Sequence, residues 1–138
     1  MNNNQIHVRA EFNIEKEKIE ESKKLIQDMS RMVENNEPDT INYQFYLNRS
    51  ETKCMVHEIY KNSESTLAHI VGVASKTILP KIFNISKLNR LDIYGNPSEE
   101  LQKVIASFDS QIFNLSADSV VKKLNHLFRT AWSKLLLQ

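Results

Sequence analysis

Glycine, proline and cysteine are all scarce in this chain of 138 residues, which has two, three and one of them respectively. So few glycines and prolines favour long helices and strands over a loop-rich or collagen-like chain. The single cysteine, Cys54, cannot close a disulfide within the chain and cannot build a thiolate metal site by itself. This use of cysteine is typical of a reducing compartment, so we expect a cytoplasmic protein.

An excess of one charge and long apolar runs are missing as well. The formal net charge is +1 at pH 7, so no field of one sign directs the chain to nucleic acid or to a membrane surface. No apolar run approaches the ~18 residues of a transmembrane helix, and the polar first five residues do not resemble a signal peptide. We therefore predict a single folded domain with no nucleic-acid partner and no membrane span.

The apolar residues that are present follow two different periods. Period-two alternation predicts strands, and spacings of three and four predict the amphipathic helices between them. Asn13 is predicted to cap the first helix, and Asn96 is predicted to cap the helix that follows the fourth strand. The strands are predicted near residues 6–12, 41–47, 53–60 and 88–94. This is the split β-α-β order of a ferredoxin-like α+β domain, with helices on one face of an antiparallel sheet.

The face of such a sheet that carries no helices needs a cover, and a second identical sheet commonly supplies it. We therefore expect a homodimer. We divide the chain into a ferredoxin-like domain over residues 1–108 and an extension over 109–138 within the same compact unit. The extension is predicted to hold a short strand near 111–115 and a long amphipathic helix from residue 116 or 118. Its apolar stripe would cover its own subunit or the partner. The stripe comprises Val121, Leu124, Phe128, either Ala131 or Trp132, and Leu135.

Four short segments carry a pattern that a known family shares. They are Glu-Pro-Asp-Thr-Ile-Asn-Tyr-Gln-Phe at 37–45, Cys-Met-Val-His-Glu-Ile-Tyr at 54–60, Ser-Glu-Ser-Thr-Leu-Ala-His at 63–69, and Leu-Asp-Ile-Tyr-Gly-Asn-Pro-Ser-Glu-Glu-Leu at 91–101. In this order and spacing they resemble the antibiotic biosynthesis monooxygenase family, specifically its quinol monooxygenase branch. The resemblance covers about residues 5–108.

The resemblance implies a dimeric α+β barrel in which each subunit holds a pocket between its sheet and its helices. It also implies a cofactor-independent monooxygenase that oxidises a small electron-rich aromatic substrate, such as a quinol, phenol or anthrone, with O2. A substrate deprotonated in an apolar pocket can itself pass an electron to oxygen, so the protein needs mainly a base and a dry cavity.

Two other functions on the same fold remain open. The chain lacks the Gly-Gly-Phe tail of the branch, which favours a non-catalytic module for ligand binding or regulation. An enzyme that isomerises or degrades a small signalling molecule would need the same single base in a small pocket, so the sequence does not separate it from the monooxygenase.

His69 and Glu58 are the predicted catalytic residues. His69 stands at the family's histidine position, where it would accept a phenolic proton near neutral pH, although a histidine at a helix end often binds a backbone carbonyl instead. Glu58 shares a strand face with apolar residues, so it must be paired or have a raised pKa. A structural ion pair of Glu58 with Arg9, Arg31 or a partner chain remains open.

Aromatic residues and one further carboxylate complete the predicted site. Tyr43, Tyr60 and Phe45 are predicted to contact the substrate. Glu37, at the corner between helix and strand, is interpreted as a cap or ion-pair partner. The four histidines show no His-x-x-x-His spacing, so we predict no metal and no cofactor.

Overall fold

The computed structural model describes residues 4–118 and 130–137. Period-two alternation is clearest in the first strand, where every second residue from Ile6 to Ile14 is buried. The elements in chain order are β1 (Ile6–Ile14), a 3-10 turn (Lys16–Lys18), α1 (Ile19–Asn36), β2 (Thr40–Leu47), β3 (Lys53–Tyr60), α2 (Ser63–Ile70), α3 (Val73–Thr77), α4 (Leu79–Ile85), β4 (Ser86–Tyr94), α5 (Glu99–Ile105) and β5 (Ser110–Phe113). Residues 130–136 are also helical.

The five strands form one mixed sheet in the order β2-β3-β1-β4-β5. All neighbours are antiparallel except β4 and β5, which are parallel. In this register Glu58 on β3 lies opposite Tyr43 on β2 and Val8 on β1. The α+β class and the ferredoxin-like arrangement predicted from the sequence are confirmed. The dimer and the boundary at residue 108 stay predictions.

The core lies between the inner face of the sheet and the helices. The inner side chains of β1, including Ala10 and Phe12, pack with Met29 and Val33 of α1. Met29 is completely buried, which follows from the stripe of apolar residues that α1 presents to the sheet. Burial of such side chains contributes roughly 1.5–3 kcal/mol each, so α1 is held on the sheet mainly by this stripe.

The predicted caps of two helices are wrong. Asn13 does not cap α1, because it remains in β1 and pairs with Lys53 and Lys87 on the two neighbouring strands. The chain then makes the 3-10 turn before α1 begins at Ile19. Asn96 does not cap α5 either. Ser98 is the cap, and its Oγ accepts a hydrogen bond from the N–H of Leu101 at 3.2 Å.

The C-terminal part of the chain also differs from its prediction. Residues 116–118 are not helical, and the fifth strand ends at Phe113, two residues earlier than predicted. Most of the predicted apolar stripe, namely Val121, Leu124 and Phe128, lies outside the described residues. Among the described residues no helix is long and apolar enough to cross a membrane.

Candidate active site

A cavity of about 210 Å³ lies between the inner face of the sheet and the helices α1 to α4. Most of its lining is apolar, and the strands β1, β3 and β4 contribute four residues each. The ionisable and aromatic groups that face it include Glu58, His69, Tyr43, Tyr60 and Phe45. A small apolar cavity with a few converging polar groups is the usual form of a small-molecule site.

His69 lies in the last turn of α2, and hydrogen bonds at both ends of this helix fix its position. Asn62 and Ser65 bind each other's backbone N–H groups in a reciprocal capping box, which fixes where α2 begins. Seven residues later the buried imidazole of His69 faces the cavity. Ser75 donates a hydrogen bond to the backbone carbonyl of His69 at 2.6 Å and fixes the end of the helix.

The two ring nitrogens of His69 face two different carboxylates. Nδ1 lies 2.7 Å from Oε1 of Glu37, and Nε2 lies 3.9 Å from Oε1 of Glu58. Because an ionised carboxylate only accepts hydrogen bonds, Glu37 requires the proton on Nδ1. Nε2 then faces the cavity and Glu58, with the hydroxyl oxygen of Ser75 3.5 Å away.

Glu37 lies at the end of α1, where its backbone N–H donates to the carbonyl of Val33 at 2.9 Å. Thr40 donates from its hydroxyl to Oε1 of Glu37 at 3.0 Å, which orients the carboxylate toward His69. The interpretation of Glu37 as an ion-pair partner therefore agrees with the structure. A carboxylate that accepts a hydrogen bond from one ring nitrogen of a histidine fixes which nitrogen carries the proton and how the ring is oriented.

Glu58 lies in the inner face of β3 with 11% of its side chain exposed. Burial raises its pKa from 4.5 to about 7, because the ionised form loses its water, while the nearby His69 acts in the opposite direction. The alternative ion pairs of Glu58 with Arg9 and Arg31 do not form. Arg9 lies over the ring of Tyr94 on the outer face, and Arg31 pairs with Asp28 on α1.

Two tyrosines flank the imidazole. The ring centroid of His69 lies 5.1 Å from that of Tyr43 and 5.3 Å from that of Tyr60. Burial, followed by the charge of Glu58, raises the pKa of both phenols, so they remain protonated donors at neutral pH. The hydroxyl of Tyr60 is buried without a hydrogen-bond partner among the described residues. Phe45 contacts Tyr43 edge to face at 5.2 Å.

The structure thus brings all five predicted site residues to one cavity. His57 faces the opposite side of the sheet, where its ring contacts Tyr46. The predicted site did not include Ser75 and Ser22, which also line the cavity. The helical period places Ser22 on the buried stripe of α1, but burial alone does not mark a serine as a site residue. Over residues 4–118 and 130–137, no three His, Cys, Asp or Glu side chains are grouped so that they would hold a metal ion.

The chain resembles solved structures, whereas no family pattern and no curated protein matches it. MupZ from Pseudomonas fluorescens is 23% identical with a TM-score of 0.73, over 85% of this chain and 94% of that protein. A candidate antibiotic biosynthesis monooxygenase from Caulobacter crescentus is 22% identical with a TM-score of 0.59. The match covers 66% of this chain and 86% of that protein. Another candidate, from Nitrosomonas europaea, is 15% identical with a TM-score of 0.62. That match covers 70% of this chain and 93% of that protein.

At sequence identities of 15% to 23%, these comparisons show a shared fold. The predicted resemblance to the antibiotic biosynthesis monooxygenases is confirmed at that level, and nothing in the comparisons distinguishes the quinol branch. The shared fold hosts more than one activity in principle, so the chemistry must be argued from the cavity itself.

Proposed function

We propose that this chain is a cofactor-independent monooxygenase that oxidises a small electron-rich aromatic substrate, such as a quinol, phenol or anthrone, with O2. The observation that carries the proposal is the buried carboxylate of Glu58 beside a histidine oriented by Glu37, inside an apolar cavity. The fold shared with the monooxygenase candidates supports the same reaction class.

Glu58 is suited to remove the first proton. Because burial raises its pKa to about 7, Glu58 exchanges a proton near neutral pH, and its ionised form is a stronger base than an ordinary carboxylate. His69 lies within reach to accept the proton or to stabilise the substrate anion. Tyr43 and Tyr60 remain protonated and are available to donate hydrogen bonds to a substrate oxygen.

The redox balance needs no group beyond substrate and O2. For a ring CH2, loss of one proton leaves a carbanion, which passes one electron to O2 and gives a radical and superoxide. These two combine in a C–O bond, and the peroxide takes up a proton. The O–O bond then breaks as the carbon loses its second hydrogen as a proton. One oxygen stays as the carbonyl and the other leaves as water. The apolar cavity excludes bulk water from the anion during these steps.

Oxygen uptake with a panel of hydroquinones and anthrones tests this proposal. We expect kcat/KM to rise with pH through about 7, and Glu58→Gln to lower it by about 10²- to 10⁴-fold, because the base is lost. His69→Ala should also lower it. His57→Ala, on the opposite face, is the matched control and should keep full activity. Equal uptake by wild type, Glu58→Gln and His69→Ala across the panel would contradict the proposal.

Isomerisation is the second candidate, because Glu58 and His69 lie 3.9 Å apart and one can return the proton that the other removes. Anaerobic turnover separates the two reactions, since an isomerase works without O2. Saturable ligand binding with no turnover under either condition would favour a non-catalytic binding module.

A further inference from the structure

The carboxylate of Glu37 is buried beside His69 and needs a positive partner. Its side chain is 9% exposed, and one of its oxygens accepts from Thr40 and lies 2.7 Å from Nδ1 of His69. Over residues 4–118 and 130–137, no lysine or arginine lies within ion-pair distance of this carboxylate. Because a buried charge is stable in a protein only when it is paired, the positive charge must come from the ring of His69.

Two oxygens lie near the other ring nitrogen of His69, Nε2, and neither is placed to donate a proton to it. The hydroxyl of Ser75 gives its proton to the backbone carbonyl of His69 at 2.6 Å, so it turns a lone pair toward Nε2 at 3.5 Å. Oε1 of Glu58 lies 3.9 Å from Nε2, beyond the length of a hydrogen bond. A neutral imidazole has an N–H on one nitrogen, whereas an imidazolium has an N–H on both. Acceptor oxygens at both nitrogens therefore favour the imidazolium.

The aromatic rings and the second carboxylate around His69 favour a positive charge as well. The ring centroids of Tyr43 and Tyr60 lie 5.1 and 5.3 Å from that of His69, inside the ~6 Å over which an aromatic ring attracts a cation. Burial raises the pKa of Glu58 to about 7, and His69 opposes this rise, as a nearby positive charge does. Groups on β2, on β3 and at the end of α1 thus stabilise the charged ring.

We infer that His69 carries a proton on both ring nitrogens and donates from Nε2 to an ionised oxygen of the ligand in the cavity. The ligand class is a phenol or enol that binds as its anion. Glu58 takes the proton that the ligand loses, while His69 keeps both of its own protons and pairs with the anion. The use of Glu58 as the base rests on the proposed function, whereas the binding of an anion by His69 does not. Glu37 is then a positioning residue that acts through His69.

Nitrogen-15 NMR of histidine-labelled protein tests the charge of the ring, because it shows which ring nitrogens carry hydrogen. At pH 7 we expect both nitrogens of His69 to carry one, and His69→Gln assigns the signals among the four histidines. Glu37→Gln removes the counter-charge and should leave hydrogen on a single nitrogen. Glu34→Gln, at an exposed position in the last turn of α1, is the matched control and should leave both signals unchanged. A wild-type ring with one protonated nitrogen would overturn the inference.

Binding of 4-nitrophenol under nitrogen gas tests the anion, because the phenol and the phenolate differ in absorbance. At pH 6 we expect wild type to bind the phenolate about 10- to 100-fold more tightly than His69→Gln does, the range for a hydrogen bond to a charged group. The affinity for the uncharged 4-nitroanisole should be the same in both proteins. Lys76→Gln is the control, because Lys76 is the other cationic residue of the lining, and it should keep the preference for the phenolate.

Glu58→Gln separates this inference from the proposed oxidation, since it removes the base and keeps His69. Binding of the phenolate should persist in that variant, whereas oxygen uptake should be lost. Equal affinity for the phenolate in wild type and His69→Gln, its loss in Lys76→Gln instead, or no binding of 4-nitrophenol would each overturn the inference. If the phenolate binds through His69 but no substrate consumes oxygen, the proposed oxidation fails and the role of His69 stands.

Discussion

At the residue scale, the properties of Glu37, His69 and Glu58 depend on their burial in the folded protein. Glu37 lies 32 positions before His69 in the chain, and their side chains meet at 2.7 Å in the folded protein. Loss of water, more than any partner, sets the pKa of Glu58. The same burial that makes this carboxylate a base also affects the stability of the fold.

Glu58 should make the protein less stable as pH rises. Its folded-state pKa of about 7 exceeds the ordinary 4.5, so between these values the folded chain holds a proton that the unfolded chain has released. The stabilising contribution is complete below about 4.5, falls as pH approaches 7 and is lost above it. We expect Glu58→Gln to raise the free energy of unfolding at pH 8 by on the order of 2–3 kcal/mol.

Urea unfolding at several pH values measures this effect. At pH 4, where wild-type Glu58 is protonated, the two proteins should be nearly equal in stability, so the low-pH pair is the internal control. A wild-type stability that does not fall relative to Glu58→Gln between pH 5 and pH 8 would contradict the prediction.

The candidate residues could be named from the sequence, but the contacts between them could not. His69, Glu58 and Tyr43 occupy positions of recognisable motifs, and the alternation of β2 and β3 assigns the two strand residues to an apolar face. The hydrogen bond between His69 and Glu37 depends on how α2 packs against the end of α1. No local sequence pattern predicts that packing. The helical period of α1 places Ser22 on the buried stripe, but it does not show that this hydroxyl lies at a cavity without a hydrogen-bond partner among the described residues.

At the element scale, periodicity predicted the strands and helices better than capping chemistry predicted their ends. Asn13 has a good capping side chain, yet it stays in β1 because both neighbouring strands pair with it. Pro80 lies in the first turn of α4, shortly after α3 ends, where its missing N–H costs no helical hydrogen bond. Such endings depend on competition between local caps and the sheet, and short sequence patterns do not resolve that competition.

The cap of α5 offers a direct comparison between the predicted and the observed residue. Ser98→Ala removes the oxygen that accepts from Leu101, and it should lower the free energy of unfolding by about 1 kcal/mol. Asn96→Ala, at the predicted cap, should change it by no more than a few tenths. Thermal and urea unfolding of both variants measure the difference, and a larger loss for Asn96→Ala would show that the assigned cap is wrong.

At the scale of the whole molecule, the two clusters of the core lie on the inner face of the sheet, and the outer face of β2 and β3 carries exposed and half-buried side chains. Tyr46 on this face is 50% exposed, and Met55, His57 and Ile59 lie beside it on β3. A mixed apolar and polar surface of this kind is typical of a subunit interface. We therefore keep the prediction that two copies pair through this face.

Sedimentation at micromolar concentration should give a particle of about twice the chain mass of 16.1 kDa. Ile59→Asp places a charge on the outer face and should shift the protein toward monomer, because a buried unpaired charge is costly. Val71→Asp, at an exposed apolar position at the end of α2, is the control and should leave the mass unchanged. A wild-type monomer at high concentration would contradict the prediction.

The break between α3 and α4 affects how readily the cavity wall that these helices form can open. The two helices have five and seven residues, and helices of this length do not hold together without their tertiary contacts. Short helices at the surface open locally more readily than the paired strands of a sheet, so amide hydrogens of residues 73–85 should exchange with solvent sooner than those of β1 or β3. Such an opening would uncover the side of the cavity that Leu79, Ile82 and Phe83 line, while the sheet that carries Glu58 stays paired.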